Sequence, residues 1–419
     1  MKIKFAQSQF GCFRARLIGI MFGFSLSGCW QSIAQKAEDT NPSYQRQTIH
    51  PELAELPLNF PEWEEGEPLT INQRETTLSP EIQARLDRFI RFRGNPIAAV
   101  MLVSVETGEI LAMSQGRPPE DWEGKTHTAL HSGFPAASLF KTVVSAAAFE
   151  IADMNPDEPI GLVGGCARVH ARGNWMRFDV KGPRHSLSLK RAYGSSCNGF
   201  FAKLAVNEIG FGPILNFSRR FGWTGQQINA DFKLTPSPIR EPDPKASSVH
   251  TIGKFAAGFG YVGISAAHAA WQTLAIANDG IPKPIRLFRE GETAWEENRE
   301  ERLVSSKTAQ TLLSISDASV LGGTASSAFR QGRYRRLRFD VGGKTGTLTG
   351  SYPKGLTTWF AGVYPKKDPE VVVVSVTVLE ELWQFRATNL AAEALLSYRE
   401  WQSQRTSYVK TGSSTAQKN

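Results

Sequence analysis

Cysteine is scarce in this chain, with four among 419 residues. Cys12 and Cys29 fall near the N-terminus, so Cys166 and Cys197 alone serve the body of the protein. A scaffold stapled by many disulfides is thereby excluded. These two could pair in an oxidising compartment, but two buried thiols are the expectation. Long hydrophobic runs are also missing. Leu17–Leu26 is the one apolar stretch near membrane length, which excludes a polytopic membrane protein. The seven histidines show no metal-ligand spacing, so neither a metal site nor a cofactor is expected. No internal repeat is present. With 41% hydrophobic and 21% charged residues, the composition is that of a globular protein, neither collagen-like nor mucin-like nor wholly disordered.

Positive charge is in modest excess. The formal net charge is +8, but residues 1–28 carry Lys2, Lys4, Arg14 and Arg16 and no acid, which leaves +4 for the remainder. That balance gives no reason to expect a nucleic-acid partner, which calls for a dense basic patch with a reading element. Arg330, Arg333, Arg335, Arg336 and Arg338 form one basic cluster, read here as a solvated strand or loop.

The first 28 residues read as a processing signal: a basic region to Arg16, an apolar core, then Ser27 and Gly28 before a cysteine. A plain secretory signal or a short anchor is one reading. Leu26-Ser27-Gly28-Cys29 resembles the lipobox of bacterial lipoproteins, which implies that Cys29 becomes a lipid-modified first residue. A lipid would hold a soluble domain to an envelope membrane on its periplasmic side, inner or outer. Residues 29–69, with five prolines, read as a flexible tether. Residues 70–402 form the folded domain and 403–419 a disordered, polar tail. No separate region for a second enzyme or a large pedestal domain is expected ahead of residue 70.

Inside the domain, Ser79-Pro80-Glu81 starts a helix that carries apolar residues to Arg93. Ile97–Val105 and Glu109–Met113 flank a Glu106-Thr107-Gly108 turn and read as a hairpin. An alanine-rich helix is predicted from about Ala136 to Ala152, strands near 340–348, 356–364 and 370–379, and a helix over Leu382–Trp401. The expected class is α/β of the α+β type: an antiparallel five-stranded sheet flanked by helices, plus a mostly helical subdomain.

Three short motifs carry chemistry. In Ser138-Leu139-Phe140-Lys141 the helical i, i+3 spacing hangs an amine beside a hydroxyl, a nucleophile with its base. The lysine can act so only if burial or neighbouring positive charge keeps it neutral. Ser196-Cys197-Asn198, 58 residues on, sits at a turn between two helix-like runs and can aim a hydroxyl and a carboxamide into one cleft. Lys344-Thr345-Gly346-Thr347, on a predicted edge strand, offers an ammonium, two hydroxyls and a free strand edge. Further copies at Ser351–Lys354 and Lys410–Gly412 are read as a hairpin loop and as a chance match in the tail.

Each motif alone is weak, but their order and setting resemble the transpeptidase domain of penicillin-binding proteins. The likeness spans about residues 70–400 and takes in the Ala98–Met113 hairpin, Ile276–Gly280, Gly323-Thr324-Ala325 and Trp359–Gly362. It implies that Ser138 is acylated by the D-Ala-D-Ala end of a peptidoglycan stem peptide, with Lys141 as base. Ser196 would relay a proton to the leaving amine while Asn198 holds the peptide amide. Lys344, Thr345, Gly346 and Thr347 would bind the substrate carboxylate side, and the N–H groups of Ser138 and Thr347 would form the oxyanion hole. β-Lactams would acylate Ser138 as mimics of that end, and cell-wall synthesis proteins would be partners.

Cys197 stands where class A β-lactamases have Asp, and no glutamate context resembles their deacylating loop. Asn198 points away from class D. The expected activity is D,D-transpeptidation, with a D,D-carboxypeptidase or serine β-lactamase as the enzyme alternative. The alternative outside enzymes is a non-catalytic penicillin-binding sensor or scaffold.

Overall fold

The computed structural model describes Leu56 and residues 69–415, except 121, 123–125, 163–164, 167–168, 170–185, 225–227, 244–247, 261, 290–301, 352 and 381–383. The signal, the lipobox with Cys29 and most of the tether lie outside the described residues. Leu56 and Leu69, inside the expected tether, are both buried in the core.

The first helix, α1 (Pro80–Arg93), begins where Ser79 is extended and Pro80 supplies a preset φ, and ends at Gly94 in the left-handed region. Strands β1 (Ala98–Ser104) and β2 (Ile110–Gln115) form the predicted hairpin. A 3₁₀ turn over Ala137–Phe140 then leads into α2 (Lys141–Ile151). Helices α3 (Leu189–Ser195), α4 (Asn198–Leu204), α5 (Phe211–Arg220), α6 (Val249–Ala256) and α7 (Ala266–Ala277) make up the helical middle. Then follow α8 (Ser306–Leu321), a 3₁₀ segment over Gly332–Phe339, strands β3 (Gly342–Ser351), β4 (Lys354–Tyr364) and β5 (Val371–Leu379), and α9 (Ala387–Thr415). Serine caps many of these starts: Ser188, Ser248, Ser265 and Ser305 each accept a backbone N–H from the third residue on.

The five strands form one antiparallel sheet in the order β2-β1-β5-β4-β3. Central β5 is buried at every position because helices cover both faces of the sheet. Its alternation divides the apolar core. Val372, Val374, Val376 and Val378 pack with α2 and α7, while Val371 and Val373 pack with α1 and α9.

Three expectations about these elements need correcting. The Ser138–Lys141 segment is a 3₁₀ turn followed by a helix, rather than one helix from Ala136, because Ala137 takes φ +49. The closing helix continues past Ser403 to Thr415. Ser403 Oγ donates to the Glu400 carbonyl and Gln402 donates to Glu370, and no proline interrupts the run. The Lys410–Gly412 motif copy therefore sits in helix. Ser351 and Lys354 pair across the end of the β3–β4 hairpin, far from helical geometry. The Arg330–Arg338 cluster lies around the 3₁₀ segment Gly332–Phe339, neither strand nor plain loop. Among the described residues no helix is long and apolar enough to cross a membrane.

Candidate active site

In a 3₁₀ turn residues three apart eclipse one another, so the turn places Lys141 directly over Ser138. Lys141 Nζ lies 2.6 Å from Ser138 Oγ, 2.7 Å from Asn198 Oδ1 and 2.9 Å from the carbonyl oxygen of Ala257. Lys141 is completely buried and Ser138 half-buried, so the hydroxyl faces the cleft and the amine lies beneath it. The turn is gripped from three sides. Pro135 carbonyl accepts from Trp359 Nε1 at 2.9 Å, tying it to β4. On another side Gly258, at φ +87, passes so close that a Cβ there would stand 1.9 Å from the Ala137 carbonyl oxygen. On the third, β3 passes at Gly346, whose added Cβ would lie 3.3 Å from the Ala136 oxygen.

Ser196 closes α3 in the left-handed region (φ 56, ψ 42), and Asn198 opens α4 immediately after. The turn between them is cross-linked. Cys166 and Cys197 form a disulfide, which corrects the expectation of two buried thiols. Backbone contacts bring the sulfurs together: Asn198 N–H donates to the Cys166 carbonyl at 2.8 Å. A Cβ on Gly199 would stand 2.5 Å from the Gly165 oxygen.

Lys344 enters from the edge strand β3, buried, with Nζ donating to Ser196 Oγ at 3.1 Å and to the Thr345 carbonyl at 2.9 Å. Thr345 is buried and Thr347 exposed on the same strand. All three motifs therefore meet in one cleft, with all eight predicted cleft residues in or beside it.

The electrostatics fit a neutral base. Burial pushes Lys141 well below the ordinary amine range, and the nearby Lys344 ammonium pushes it further. Burial pushes Lys344 down to about 7. Since the neighbour's charge acts on Lys141, that group gives up its proton first. A neutral amine has two N–H bonds and one lone pair. Asn198 Oδ1 and the Ala257 carbonyl can only accept, so they take both N–H bonds, and the lone pair is left facing the Ser138 hydroxyl.

Sequence reasoning missed three participants. Ala257 acts through a backbone carbonyl, which leaves no side-chain signature. Tyr193, buried, puts its ring 5.4 Å from Lys344 Nζ and its hydroxyl 3.1 Å from Thr142 Oγ1. Thr324 reaches Thr345, and the Gly323-Thr324-Ala325 likeness was its only signal.

A family model described as penicillin binding protein transpeptidase domain matches residues 98–396. The chain is 36% identical over 85 residues to the peptidoglycan D,D-transpeptidase FtsI homolog of Chlorokybus atmophyticus, a stretch covering 19% of this chain and 12% of that relative. The match thus spans a small part of the relative's length. Among solved structures, the D,D-transpeptidase domain of a peptidoglycan glycosyltransferase from Eggerthella lenta superposes with TM-score 0.62 at 24% identity, covering 78% of this chain and 83% of that one. Penicillin-binding protein 3 from Mycobacterium tuberculosis, complexed with aztreonam, gives 0.60 at 20%, covering 80% and 79%. At such identities the superpositions show a common fold, and the family match over more than half the chain adds descent: this chain belongs to the penicillin-binding protein transpeptidase domain family.

Proposed function

We propose that the chain is a peptidoglycan D,D-transpeptidase acting through a Ser138 acyl-enzyme on D-Ala-D-Ala stem peptides. The observation that carries this is the Lys141 environment, which fills both N–H bonds and leaves a lone pair for the nucleophile's proton. Ser138 Oγ attacks the penultimate D-Ala carbonyl while its proton passes to Lys141 Nζ. Burial of the resulting ammonium between Asn198 and Ala257 keeps it hydrogen-bonded. The N–H groups of Ser138 and Thr347 take the oxyanion. Collapse breaks the peptide C–N bond, and Ser196 Oγ–H protonates the departing D-Ala amine. Lys344, 3.1 Å from Ser196, resupplies that proton. An acceptor amine then attacks the ester and gives its proton to Ser196, which passes one back to Lys344, while Lys141 returns its proton to Ser138 Oγ as the ester C–O bond breaks.

Thr345 and Thr347 donate to the substrate carboxylate beside Lys344, and free edge β3 pairs with the extended peptide. β-Lactams enter the same cleft and acylate Ser138. Within the envelope, a lipid on Cys29 holds the domain at a membrane facing the periplasm, near other cell-wall synthesis proteins.

The test is intact mass of the full chain against time with benzylpenicillin. A persistent single adduct on Ser138, absent in Ser138→Ala with unchanged circular dichroism, is the expected result. A labelled Ser138→Ala protein would sink the assignment, and an adduct that decays while penicillin is consumed would mean a β-lactamase. Adding an amine acceptor to a donor peptide then distinguishes cross-linking from carboxypeptidase hydrolysis.

A further inference from the structure

Thr324 stands on the lip of the cleft between two motifs. Its segment is pressed against the end of α3: a Cβ on Gly323 would stand 2.1 Å from the Gly194 oxygen, two residues before Ser196. Thr324 N–H donates to that Gly194 carbonyl at 3.1 Å. Its hydroxyl is placed to reach two acceptors, the same Gly194 carbonyl at 3.3 Å and Thr345 Oγ1 within hydrogen-bond distance.

A threonine hydroxyl has one proton, so the pair can be arranged in two ways. In one, Thr324 donates to Gly194 and Thr345 donates to Thr324, which turns the lone pairs of Thr345 toward the cleft. In the other, Thr324 donates to Thr345, and the Thr345 proton is free to point into the cleft. A carboxylate accepts and cannot donate, so an anionic ligand selects the second arrangement. Little is lost in the exchange, because Gly194 keeps its bond from the Thr324 backbone.

We propose that Thr324 is a positioning residue for anionic ligands: it does not touch the carboxylate but sets the direction in which Thr345 offers its proton. The inference rests on the carboxylate role of Thr345 in the proposed function. It makes Thr324 a determinant of selectivity for acids over neutral analogues.

The test compares second-order acylation constants of the full chain for benzylpenicillin and for its methyl ester, read by intact mass. Thr324→Val keeps the shape and removes the hydroxyl. It should slow acylation by the acid about five- to tenfold, the worth of one net hydrogen bond, and the ester less than about twofold. Thr324→Ser should restore the acid rate. In a Thr345→Val background, Thr324→Val should add nothing further. Equal losses for acid and ester would overturn the inference by making Thr324 merely structural. Additive losses with Thr345→Val would overturn it by putting Thr324 in direct contact with the ligand. If Thr345→Val itself spares the acid-to-ester ratio, the carboxylate role of Thr345 fails and the inference with it. If only Thr324→Val spares that ratio, the inference alone fails.

Discussion

The disulfide lies inside the Ser196-Cys197-Asn198 motif, so removing it should be felt both in stability and in acylation. Cys197 is fully buried between Ser196 and Asn198, and its bond to Cys166 closes a loop with a sequence separation of 31. In the chain-entropy treatment, a closed loop of that length costs the unfolded state about 12 cal/mol/K, roughly 3.7 kcal/mol at 25 °C. Cys166→Ser removes the cross-link while leaving the buried Cys197 side chain nearly intact, so most of that amount should disappear from the unfolding free energy measured in urea. The kinetic consequence follows from Asn198. Its N–H is held by the Cys166 carbonyl, and its Oδ1 takes one of the two N–H bonds that orient Lys141. A loosened loop lets that carboxamide wander, and a misdirected lone pair should slow acylation by about tenfold, equivalent to ~1.4 kcal/mol of barrier. Wild-type protein incubated with a dithiol should show the same slowing, reversed on reoxidation. A stability loss below about 1 kcal/mol together with an unchanged acylation rate would refute this reasoning.

Gly258→Ala drives a methyl group into the Ala137 carbonyl at a backbone φ of +87, so acylation by benzylpenicillin should fall at least about 100-fold, measured by intact mass. Glu393 is buried and accepts from Arg85, Arg333 and Tyr334, which joins α1, the 3₁₀ segment and α9; Glu393→Gln should cost about 1–2 kcal/mol in urea unfolding, by weakening charge-assisted hydrogen bonds from two partly exposed arginines. Burial holds His268 down to about 4, where it bonds Ser237 and the Phe221 carbonyl. Its neutral form is required by the fold, so stability present above pH 6.5 should be lost as the pH falls toward about 4, and His268→Gln should flatten that slope in thermal melts.

Much of the fold was legible because its signals are local. Pro80 and Gly94 mark both ends of α1, and the valine run of β5 announces a strand buried on both faces. The strand order was not legible in the same way. β1 pairs with β5 across more than 260 residues, Ala98 opposite Thr377, and no local pattern encodes that. At the site, the three motifs named their own side chains, since the proposed nucleophile, base and relay need particular functional groups at particular spacings. The remainder acts through features that side-chain chemistry does not advertise. Ala257 contributes a carbonyl, and Gly165 and Gly199 contribute close approach. Cys166 and Cys197 are far apart in sequence, so only the folded backbone contacts at Asn198 and Gly199 reveal that they meet. The left-handed turn at Ser196 likewise depends on neighbours rather than on serine.

Two residues in this cleft hold backbone conformations their side chains disfavour. Ala137 precedes Ser138 at φ +49, and Ser196 is itself left-handed at φ +56. Each costs of order 1 kcal/mol or more. Without support, the 3₁₀ turn would relax toward an ordinary helix and move Lys141 away from its eclipsed position over Ser138. The surrounding bonds are placed against that relaxation. Ala136 N–H is committed to Val262 and the Pro135 carbonyl to Trp359, while Gly258 blocks the path of the Ala137 carbonyl. At Ser196 the disulfide and the Asn198–Cys166 bond do the same from the far side of the cleft. Within the cleft, strain thus falls on Ala137 and Ser196, and each of these two positions is braced by an element remote in sequence. That arrangement explains why the base can be buried at all. Lys141 is driven to neutrality by desolvation and by Lys344, yet it stays useful only while Asn198 and Ala257 fix where its lone pair points. Burial without bracing would give a neutral amine aimed nowhere, and bracing without burial would give an ammonium unable to take a proton.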